Sequence, residues 1–257
     1  MNTSLYLTAF RTIVIKEVSR FTRIWIQTIL PPAVSMTLYF VIFGNLIGPR
    51  IGQMDGFSYI QYIAPGIIMM SIINSSYANV VSSFFGAKFQ RYIEEMLVAP
   101  IPNIIILSGY ITGGVARGMM VGLVVTLVAL FFTELHIEHP LIVITVVLLT
   151  STLFSLAGFI NGIFARKFDD IAIIPSFVLT PLIYLGGVFY SINLLPEFWQ
   201  TVSKLNPIFY MVNAFRYGML GVSDINIQSA LAIILIFTVA LFSLCLYLLN
   251  KGVGIKS

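Results

Sequence analysis

Side chains that could perform chemistry are sparse in this sequence, which has 2 histidines and 10 acidic residues among 257. The densest group is Glu134, His136, Glu138 and His139, a run that could hold a metal ion or form the active site of a membrane enzyme acting on lipids. No further ligand lies in the neighbouring apolar segments to complete a dry metal site. The favoured interpretation is therefore a polar turn between two long apolar helices, with no metal bound.

The sequence carries no motif for nucleotide hydrolysis or acyl transfer. It has no Gly-x4-Gly-Lys-Ser/Thr run to hold phosphates and no Gly-x-Ser-x-Gly turn to expose a nucleophilic serine. Its single cysteine, Cys245, excludes a disulfide framework. We therefore expect no catalytic residues, no ATPase site and no cofactor bound by this chain.

The composition is that of a membrane protein. Hydrophobic residues make up 58% of the chain and charged residues only 9%, whereas soluble domains carry about 25% charged residues. This shortage of charge excludes a soluble enzyme, a disordered tail and a nucleic-acid-binding domain. Six apolar runs are long enough to cross a bilayer as helices, at residues 24–47, 59–85, 104–133, 141–165, 171–190 and 227–250. The sequence predicts an all-α polytopic membrane protein, a single domain of six transmembrane helices.

The basic residues predict the orientation of these helices. Ten of the 14 Lys and Arg residues fall on one side of the six runs, namely Arg11, Lys16, Arg20, Arg23, Lys88, Arg91, Arg166, Lys167, Lys251 and Lys256. The other side has Arg50, Lys204 and Arg216, and Arg117 lies within a run. The positive-inside rule therefore places both termini in the cytosol. Contacts of these basic residues with anionic membrane lipid also explain the net positive charge of the chain, so no nucleic-acid partner is needed to account for it.

Two segments outside the six runs are expected to be helical. Residues 1–23 have apolar side chains at helical spacing, at Leu7, Phe10, Val14, Val18 and Phe21. This pattern predicts an N-terminal interfacial helix, with a solvated helix as the alternative. Residues 191–226, on the outer side, are too apolar for a loop in water and too interrupted to span. They predict a re-entrant helical segment that is broken at Asn206 and Pro207.

Polar and small residues within the runs have two interpretations each. The second run has a polar face at Ser71, Asn74, Ser75 and Asn79, and prolines interrupt three runs, at Pro31, Pro32, Pro65, Pro175 and Pro181. These features suit a pathway through a bundle or ordinary contacts between helices. Glycines four residues apart, at Gly114, Gly118, Gly122, Gly158 and Gly162, favour close packing within one chain over a dimer seam. Arg117 is either functional or extends to lipid phosphate.

The inner loop, residues 86–102, mixes charges of both signs with apolar residues at helical spacing, and Pro100 and Pro102 end it. This pattern predicts a short amphipathic helix whose apolar face lies in the groove of a partner protein, while its charges fix the register. A helix that rests on the lipid headgroups is the alternative.

The inner loop up to Pro100, and the outer Asn206-Pro207 with Tyr210 and Arg216, resemble the permease subunits of ABC type-2 exporters. The resemblance covers essentially the whole chain. It is closest to the YadH-type inner-membrane permeases of Gram-negative bacteria, which share runs such as residues 84–91 and 184–190.

The resemblance implies half of the membrane part of an exporter. Two copies would form a homodimer in the bacterial inner membrane, and two separate ABC ATPase subunits, which bind ATP and Mg²⁺, would dock on the cytosolic side. The implied ATPase-docking residues are Lys88, Arg91, Ile93, Glu94, Glu95, Met96, Leu97 and Pro100. The implied translocation path uses Ser71, Asn74, Ser75, Asn79, Pro175 and Pro181, and the implied outer gate uses Asn206, Pro207, Tyr210 and Arg216. The cargo would be an amphipathic or lipid-linked substrate or a drug.

An ATP-independent channel or secondary carrier is the second function class that these residues allow. It would use the same polar strip and broken helices. Coupling to ions usually needs titratable groups inside the membrane, and Arg117 is the one charged residue within the six runs. An integral membrane enzyme with its site at residues 134–139 is the third class.

Overall fold

The structure, a computed structural model, describes residues 3–254, and its regular elements there are almost all helical. Numbered along the chain, the helices are α1 Thr3–Arg23, α2 Trp25–Ile51, α3 Tyr59–Phe89, α4 Tyr92–Val98, α5 Asn103–Ala129, α6 Pro140–Phe164, α7 Asp170–Tyr184, α8 Glu197–Lys204, α9 Pro207–Leu220 and α10 Ile227–Lys251. A short antiparallel hairpin, Gln53–Met54 with Phe57–Ser58, precedes α3. A 3₁₀ turn at Ile192–Leu194 precedes α8. The all-α prediction is confirmed, apart from the small hairpin.

Within residues 3–254, five helices are long and apolar enough to cross a membrane: α2, α3, α5, α6 and α10. They match five of the six predicted runs. The remaining run, predicted at 171–190, forms the shorter apolar helix α7, which ends at Tyr184. The chain turns there because Gly187 adopts φ +73°, a left-handed conformation that costs glycine no steric clash.

Helix α3 lies at the centre of the bundle. In its apolar stretch 78% of the residues are buried, compared with 17% in α2 and 22% in α10. It packs chiefly against α5 and α6, and α9 covers it near its beginning. The two least buried helices leave apolar surface for lipid or for a second protein.

Glycines let α5 and α6 approach α3 closely. A Cβ atom on Gly158 of α6 would lie 2.6 Å from the carbonyl oxygen of Tyr77 in α3, and one on Gly122 of α5 would lie 2.7 Å from Ile72. Gly114 and Gly118 of α5 face side chains of α3 and α6 in the same way. The interpretation of these glycines as packing sites within one chain is confirmed.

Prolines interrupt two of the three helices for which a break was expected. Helix α2 consists of Trp25–Thr28, Leu30–Tyr39, a π-helical stretch Phe40–Ile47 and Gly48–Ile51, and Pro31 and Pro32 lie in the first turn of its second piece. Helix α7 consists of Asp170–Ile174, a π-helical stretch Pro175–Leu179 and Thr180–Tyr184.

Pro65 does not interrupt α3, so the expected break there is wrong. It lies inside a continuous helix, next to Gly66, and both residues are buried. Gly66 allows the backbone of Val188 to pack directly against the helix. This tight packing compensates for the one helical hydrogen bond that a proline removes.

Helix α1 packs on α5 along one face. Ile13, Glu17 and Phe21 share that face at a spacing of four and are buried. Ile13 lies over Gly109 and Glu17 lies over Gly113. Of the predicted apolar stripe, Phe21 is buried and Phe10, Val14 and Val18 are half-buried, whereas Leu7 is 68% exposed. Residues 1 and 2 of the predicted helix lie outside the described residues.

The outer segment contains two helices, α8 and α9, and the break between them is at Leu205–Asn206, one residue before the predicted position at Asn206 and Pro207. Asn206 caps α9 by accepting a hydrogen bond from the backbone N–H of Ile208, and Pro207 occupies the first turn. Helix α9 is largely buried, in contact with α3, α6 and α10. It is therefore part of the bundle core.

The close contact at Gly158 makes a stability prediction. Gly158→Ala should lower the free energy of unfolding by about 1–3 kcal/mol, because the new methyl group would meet a backbone carbonyl that cannot rotate away. Gly86→Ala, in α3, is the control, since no atom beyond the neighbouring backbone of its own helix lies within 4 Å of the position that its new methyl group would take. Thermal unfolding of the purified protein in a mild detergent measures both variants. Equal unfolding midpoints would contradict the close packing at Gly158.

Candidate functional site

The predicted helix of the inner loop is α4. Helix α3 continues to Phe89, and Arg91 then adopts φ +63°, which turns the chain sharply into α4. A non-glycine residue in this left-handed conformation costs about 1–2 kcal/mol. The joint between α3 and α4 is therefore a sharp turn held by the surrounding contacts.

One face of α4 is anchored in the bundle. Ile93 is 1% exposed, and Met96 and Leu97 pack beside it on an apolar cluster with residues from α1, α3, α5, α6 and α10. The apolar side of the predicted docking helix thus faces its own bundle, not an open groove. The opposite side exposes Arg91, Glu94, Glu95 and Pro100, together with Tyr92 and Val98.

Lys88 also points into the bundle. Its ammonium group donates hydrogen bonds to the carbonyl oxygens of Ile163 and Ala165, at 2.9 Å for Ala165. These carbonyls lie at the C-terminal end of α6, where backbone acceptors lack helical partners and a positive charge is favourable. Lys88 therefore ties the C-terminal end of α3 to α6. Gly254, after α10, packs against the carbonyl of Ile163 as well.

The predicted polar strip of α3 is mostly buried within the chain. Ser71, Ser75 and Asn79 are buried, and Asn74 is half-buried. Ser71 and Asn74 each donate a hydrogen bond to a carbonyl one turn earlier in α3. Pro181 has an exposed position on α7 and Pro175 a half-buried one, whereas three of the four residues of the strip are buried.

A charged cluster joins α1 to the strip. Glu17 is fully buried and accepts a hydrogen bond of 2.6 Å from the hydroxyl of Ser83. Arg20 lies 3.5 Å from the Glu17 carboxylate and donates to the side-chain and backbone oxygens of Asn79, at 2.8 and 2.9 Å. Glu17 was not among the predicted site residues, although its spacing of four from Ile13 and Phe21 was a signal that could have found it.

Arg117 lies on α5, one turn after Gly113, the glycine that Glu17 packs over. It is half-buried, and among the described residues its Nε atom has no hydrogen-bond partner. The nearby cluster holds one carboxylate, Glu17, and a second guanidinium, Arg20. Positive charge is therefore in excess in this part of the bundle.

Arg216, on α9, is buried near the N-terminal end of α3. Its side chain is 1% exposed, and its guanidinium lies 4.0 Å from the ring centroid of Tyr62. It donates hydrogen bonds to the carbonyl oxygens of Tyr62, at 3.3 Å, and Gly187, at 2.6 Å. Arg216 thus connects α9, α3 and the turn after α7, and it faces the bundle interior.

The other predicted outer-gate residues, Asn206, Pro207 and Tyr210, lie at the ends of α7, α8 and α9. The Asn206 side chain donates a hydrogen bond to the carbonyl of Leu182 in α7. The Tyr210 hydroxyl donates to the carbonyl of Lys204, at 2.7 Å, across the break between α8 and α9. Pro207 begins α9. These contacts hold the pair of outer helices against the end of α7.

Asp224 is an outer residue that the sequence pattern did not indicate. Its carboxylate accepts hydrogen bonds from the Ser191 hydroxyl, at 2.7 Å, and from the backbone N–H of Ile192. Its own N–H donates to the side chain of Asn213 in α9. It therefore fastens the connection into α10 to the segment after α7.

The turn at residues 134–139 is polar and exposed. His139 stacks on Tyr217 with ring centroids 4.8 Å apart, and its backbone N–H donates to the carbonyl of Gly218. In the described part of the chain, no three His, Cys, Asp or Glu side chains come together to hold a metal ion. The arrangement fits a turn that packs on the end of α9.

An apolar cavity of about 400 Å³ lies between α3, α5, α6 and α9. Its lining includes Ile68, Met119, Leu123, Val147 and Phe215. Met119 and Leu123 are exposed, so the cavity is open on the side of α5. An alkyl chain or another apolar group would be the matching ligand.

The chain is similar to known proteins over most of its length. The model of the family described as ABC-2 type transporter matches residues 8–220. The chain is 56% identical over 253 residues to the inner membrane transport permease YadH of Escherichia coli strain K12, covering 98% of this chain and 99% of that protein. It is 23% identical over 227 residues to nodulation protein J of Rhizobium leguminosarum bv. viciae, covering 88% of each.

The position of Lys88 gives a prediction about the joint. Lys88→Met should lower the free energy of unfolding by about 1–3 kcal/mol, because two helix-end carbonyls lose their donor. Hydrogen exchange across residues 86–102 should become faster. Lys88→Arg, which keeps a charged donor, should restore part of the protection.

Lys167→Met is the matched control. Lys167 is an exposed cation on the same side, and its ammonium makes no hydrogen bond within residues 3–254. A change in exchange equal to that of Lys88→Met would mean that loss of charge, not loss of the two hydrogen bonds, is responsible.

Proposed function

The chain belongs to the ABC-2 type transporter family, and we propose that it is the membrane-spanning permease of an ATP-binding cassette exporter. Members of this permease family are membrane subunits of ABC transporters. The observation that carries the proposal is α4, a short helix with exposed charges at the joint between two membrane-spanning helices. In a member of this family, such a helix suits contact with a separate ATPase.

Helix α4 has the two faces that contact with an ATPase requires. Ile93 anchors the inner face, while Glu94 and Glu95 are exposed on the outer face beside Tyr92 and Val98. The apolar side chains give a partner contact area, and the acidic groups around them fix the register in which it binds. ATP and Mg²⁺ bind to the ATPase subunits in this proposal, because the permease sequence has no phosphate-binding motif.

In this proposal, the movement of α4 is transmitted through α3. Displacement of α4 acts on the cytosolic end of α3, which Lys88 fastens to α6. The same helix reaches the outer segment, where Arg216 donates to the carbonyl of Tyr62. ATP-driven movement on one side can therefore reach α9 and the end of α7 on the other side.

The proposed membrane arrangement has six crossings. Helix α7 supplies the fifth, and α8 with α9 forms a re-entrant segment in the outer leaflet. The exposed apolar side chains of α7, such as Ile173 and Phe177, support its contact with lipid or with another protein. The excess of Lys and Arg on one side supports cytosolic termini. Lys256 contributes to that excess and lies outside the described residues.

Two copies of the chain are proposed to pair through α2 and α7. Both helices have many exposed apolar side chains, and they meet at a contact of 3.1 Å between the hydroxyls of Tyr39 and Tyr184. A path between the copies would be lined by these helices and by Asn74, the half-buried member of the strip. The apolar cavity near Met119 and Leu123 suits an amphipathic or lipid-linked cargo or a drug.

Glu17 is the observation that favours the alternative, an ATP-independent carrier. It is a buried ionisable group next to the polar strip, as ion coupling requires. Its hydrogen bond to Ser83 and its proximity to Arg20 also explain it as a structural contact between α1 and α3. We therefore favour the ATP-driven permease.

Docking on α4 predicts the effect of neutralising its acids. Glu94→Gln combined with Glu95→Gln should weaken binding of the ATPase about tenfold, since two exposed charge contacts contribute about 0.7 kcal/mol each. Measurement of ATPase binding to the purified permease in detergent gives the affinity.

Glu134→Gln combined with Glu138→Gln removes the same charge from exposed acids of the outer turn and is the matched control. Its affinity should match that of the unchanged permease. Equal affinity for both double variants would contradict docking at α4.

Pairing through α7 predicts a specific cross-link. Phe177→Cys, at a side chain that is 77% exposed, should form a disulfide-linked dimer in oxidised membranes. The native Cys245 is buried and should not react. Ile236→Cys, exposed on α10, is the control and should stay monomeric. Cross-linking of the α10 variant in place of the α7 variant would contradict the proposed interface.

A further inference from the structure

A polar cavity of about 290 Å³ lies between α1, the cytosolic end of α3 and the turn into α4. Its lining consists of Lys16, Arg20, Ser82, Ser83, Gly86, Ala87, Gln90 and Tyr92. Two of these residues are cations and none is acidic. The cavity shares Tyr92 with the exposed face of α4, and it shares no lining residue with the apolar cavity.

The two cations have hydrogen-bond donors to spare. Lys16 is exposed, and its ammonium makes no hydrogen bond among residues 3–254; it lies 5.6 Å from the ring centroid of Tyr110. Arg20 uses Nη2 for Asn79, but the contact of its Nη1 with the Ser82 hydroxyl is 3.5 Å long. Lys16 and the Nη1 of Arg20 are therefore available to a ligand in the cavity.

The local charge balance favours an anion. Glu17 lies behind Arg20 and offsets its charge, with a separation of 3.5 Å between carboxylate and guanidinium. Lys16 then remains as an uncompensated positive charge at the cavity. Arg117, one turn beyond Gly113 in α5, adds a further cation to the surroundings. A bound anion would neutralise this excess.

A phosphate group matches the donors of the cavity. Ammonium and guanidinium groups are the usual protein ligands of phosphate. Gln90 and Tyr92 can add an amide and a hydroxyl at the mouth. A cavity of about 290 Å³ is near the lower size of small-molecule pockets, which suits one phosphate with the glycerol groups of a headgroup.

The depth of the cavity points to a lipid as the source of the phosphate. Its lining residues of α3 fall in the last two turns of that helix, on the side where Lys and Arg are in excess and lipid phosphates attract basic residues. Ile15 of α1 and Phe89 of α3, close in sequence to lining residues, are exposed apolar side chains that suit the neighbouring lipid.

We propose that this cavity binds the phosphate of an anionic lipid headgroup from the cytosolic leaflet. Lys16 and Arg20 hold the phosphate oxygens, and the mouth contributes Gln90 and Tyr92. The bound headgroup links α1 to the turn that leads into α4. The site belongs to this chain alone, so it does not depend on an ATPase or on the cargo.

The test is thermal unfolding of the full purified chain in an uncharged detergent during titration with dihexanoyl-phosphatidylglycerol. The expected result is a saturable rise of the unfolding midpoint. Lys16→Gln should raise the apparent Kd about tenfold, the loss of one charge-assisted contact of about 1.4 kcal/mol. Lys16→Arg should restore the affinity, which also shows that the site tolerates substitution.

Arg11→Gln is the matched control, because Arg11 is an exposed cation of the same helix that does not line the cavity. Its apparent Kd should stay within about twofold of the unchanged protein. Equal weakening by Arg11→Gln and Lys16→Gln would overturn the proposal in favour of general surface charge.

Two further titrations identify the source of the phosphate. Dihexanoyl-phosphatidylcholine should give a smaller shift, and an equal shift would overturn the requirement for an anionic headgroup. Inorganic phosphate should give no saturable shift at the same concentrations. A saturable shift with inorganic phosphate that Lys16→Gln abolishes would overturn the lipid assignment and identify a free-phosphate site. No shift with any ligand would overturn the site itself.

Discussion

The architecture depends on how α3 is fixed inside the bundle. Its two ends are held by cations that donate to backbone carbonyl oxygens, Lys88 near one end and Arg216 near the other. Lys88 satisfies acceptors at the end of α6, and Arg216 satisfies those of Tyr62 and Gly187. Unpaired backbone groups are costly where water is scarce, so these bonds determine where α4 and the outer helices lie. The exposed charges of α4 are thus attached to a helix that is rigidly placed in the bundle.

The buried carboxylate of Glu17 follows the same constraint. Glu17 reaches the bundle because Gly113 leaves space for its side chain, and it is then paired with Ser83 and Arg20. The small residues of α5 and α6 bring the helices close enough for such short polar contacts. Helix α1 is consequently a component of the bundle as well as an amphipathic helix. This arrangement gives the N-terminal segment a direct connection to Asn79 in α3 and to the turn before α4.

Features that depend on composition and local pattern were predictable from the sequence. Apolar length predicted the five long helices, and Asn206 with Pro207 predicted the break before α9, because capping and proline geometry act within a few residues. Features that depend on tertiary contact were not predictable. Pro65 stays helical because its surroundings are fully packed, and Lys88 faces inward because the end of α6 lies beside it. The burial of Glu17 likewise requires a glycine ninety-six positions later in the chain, which no local pattern reveals.

The central claim is that a separate ATPase moves the outer segment of this chain through α3. The most direct measurement places a fluorophore on Leu194→Cys, an exposed position of the outer segment, in permease reconstituted into vesicles with the ATPase subunit. Coupling through α3 predicts a change of the emission spectrum on addition of ATP and Mg²⁺ that requires the ATPase. The same change in vesicles that contain the permease alone would contradict this claim, as would an unchanged spectrum while the bound ATPase hydrolyses ATP.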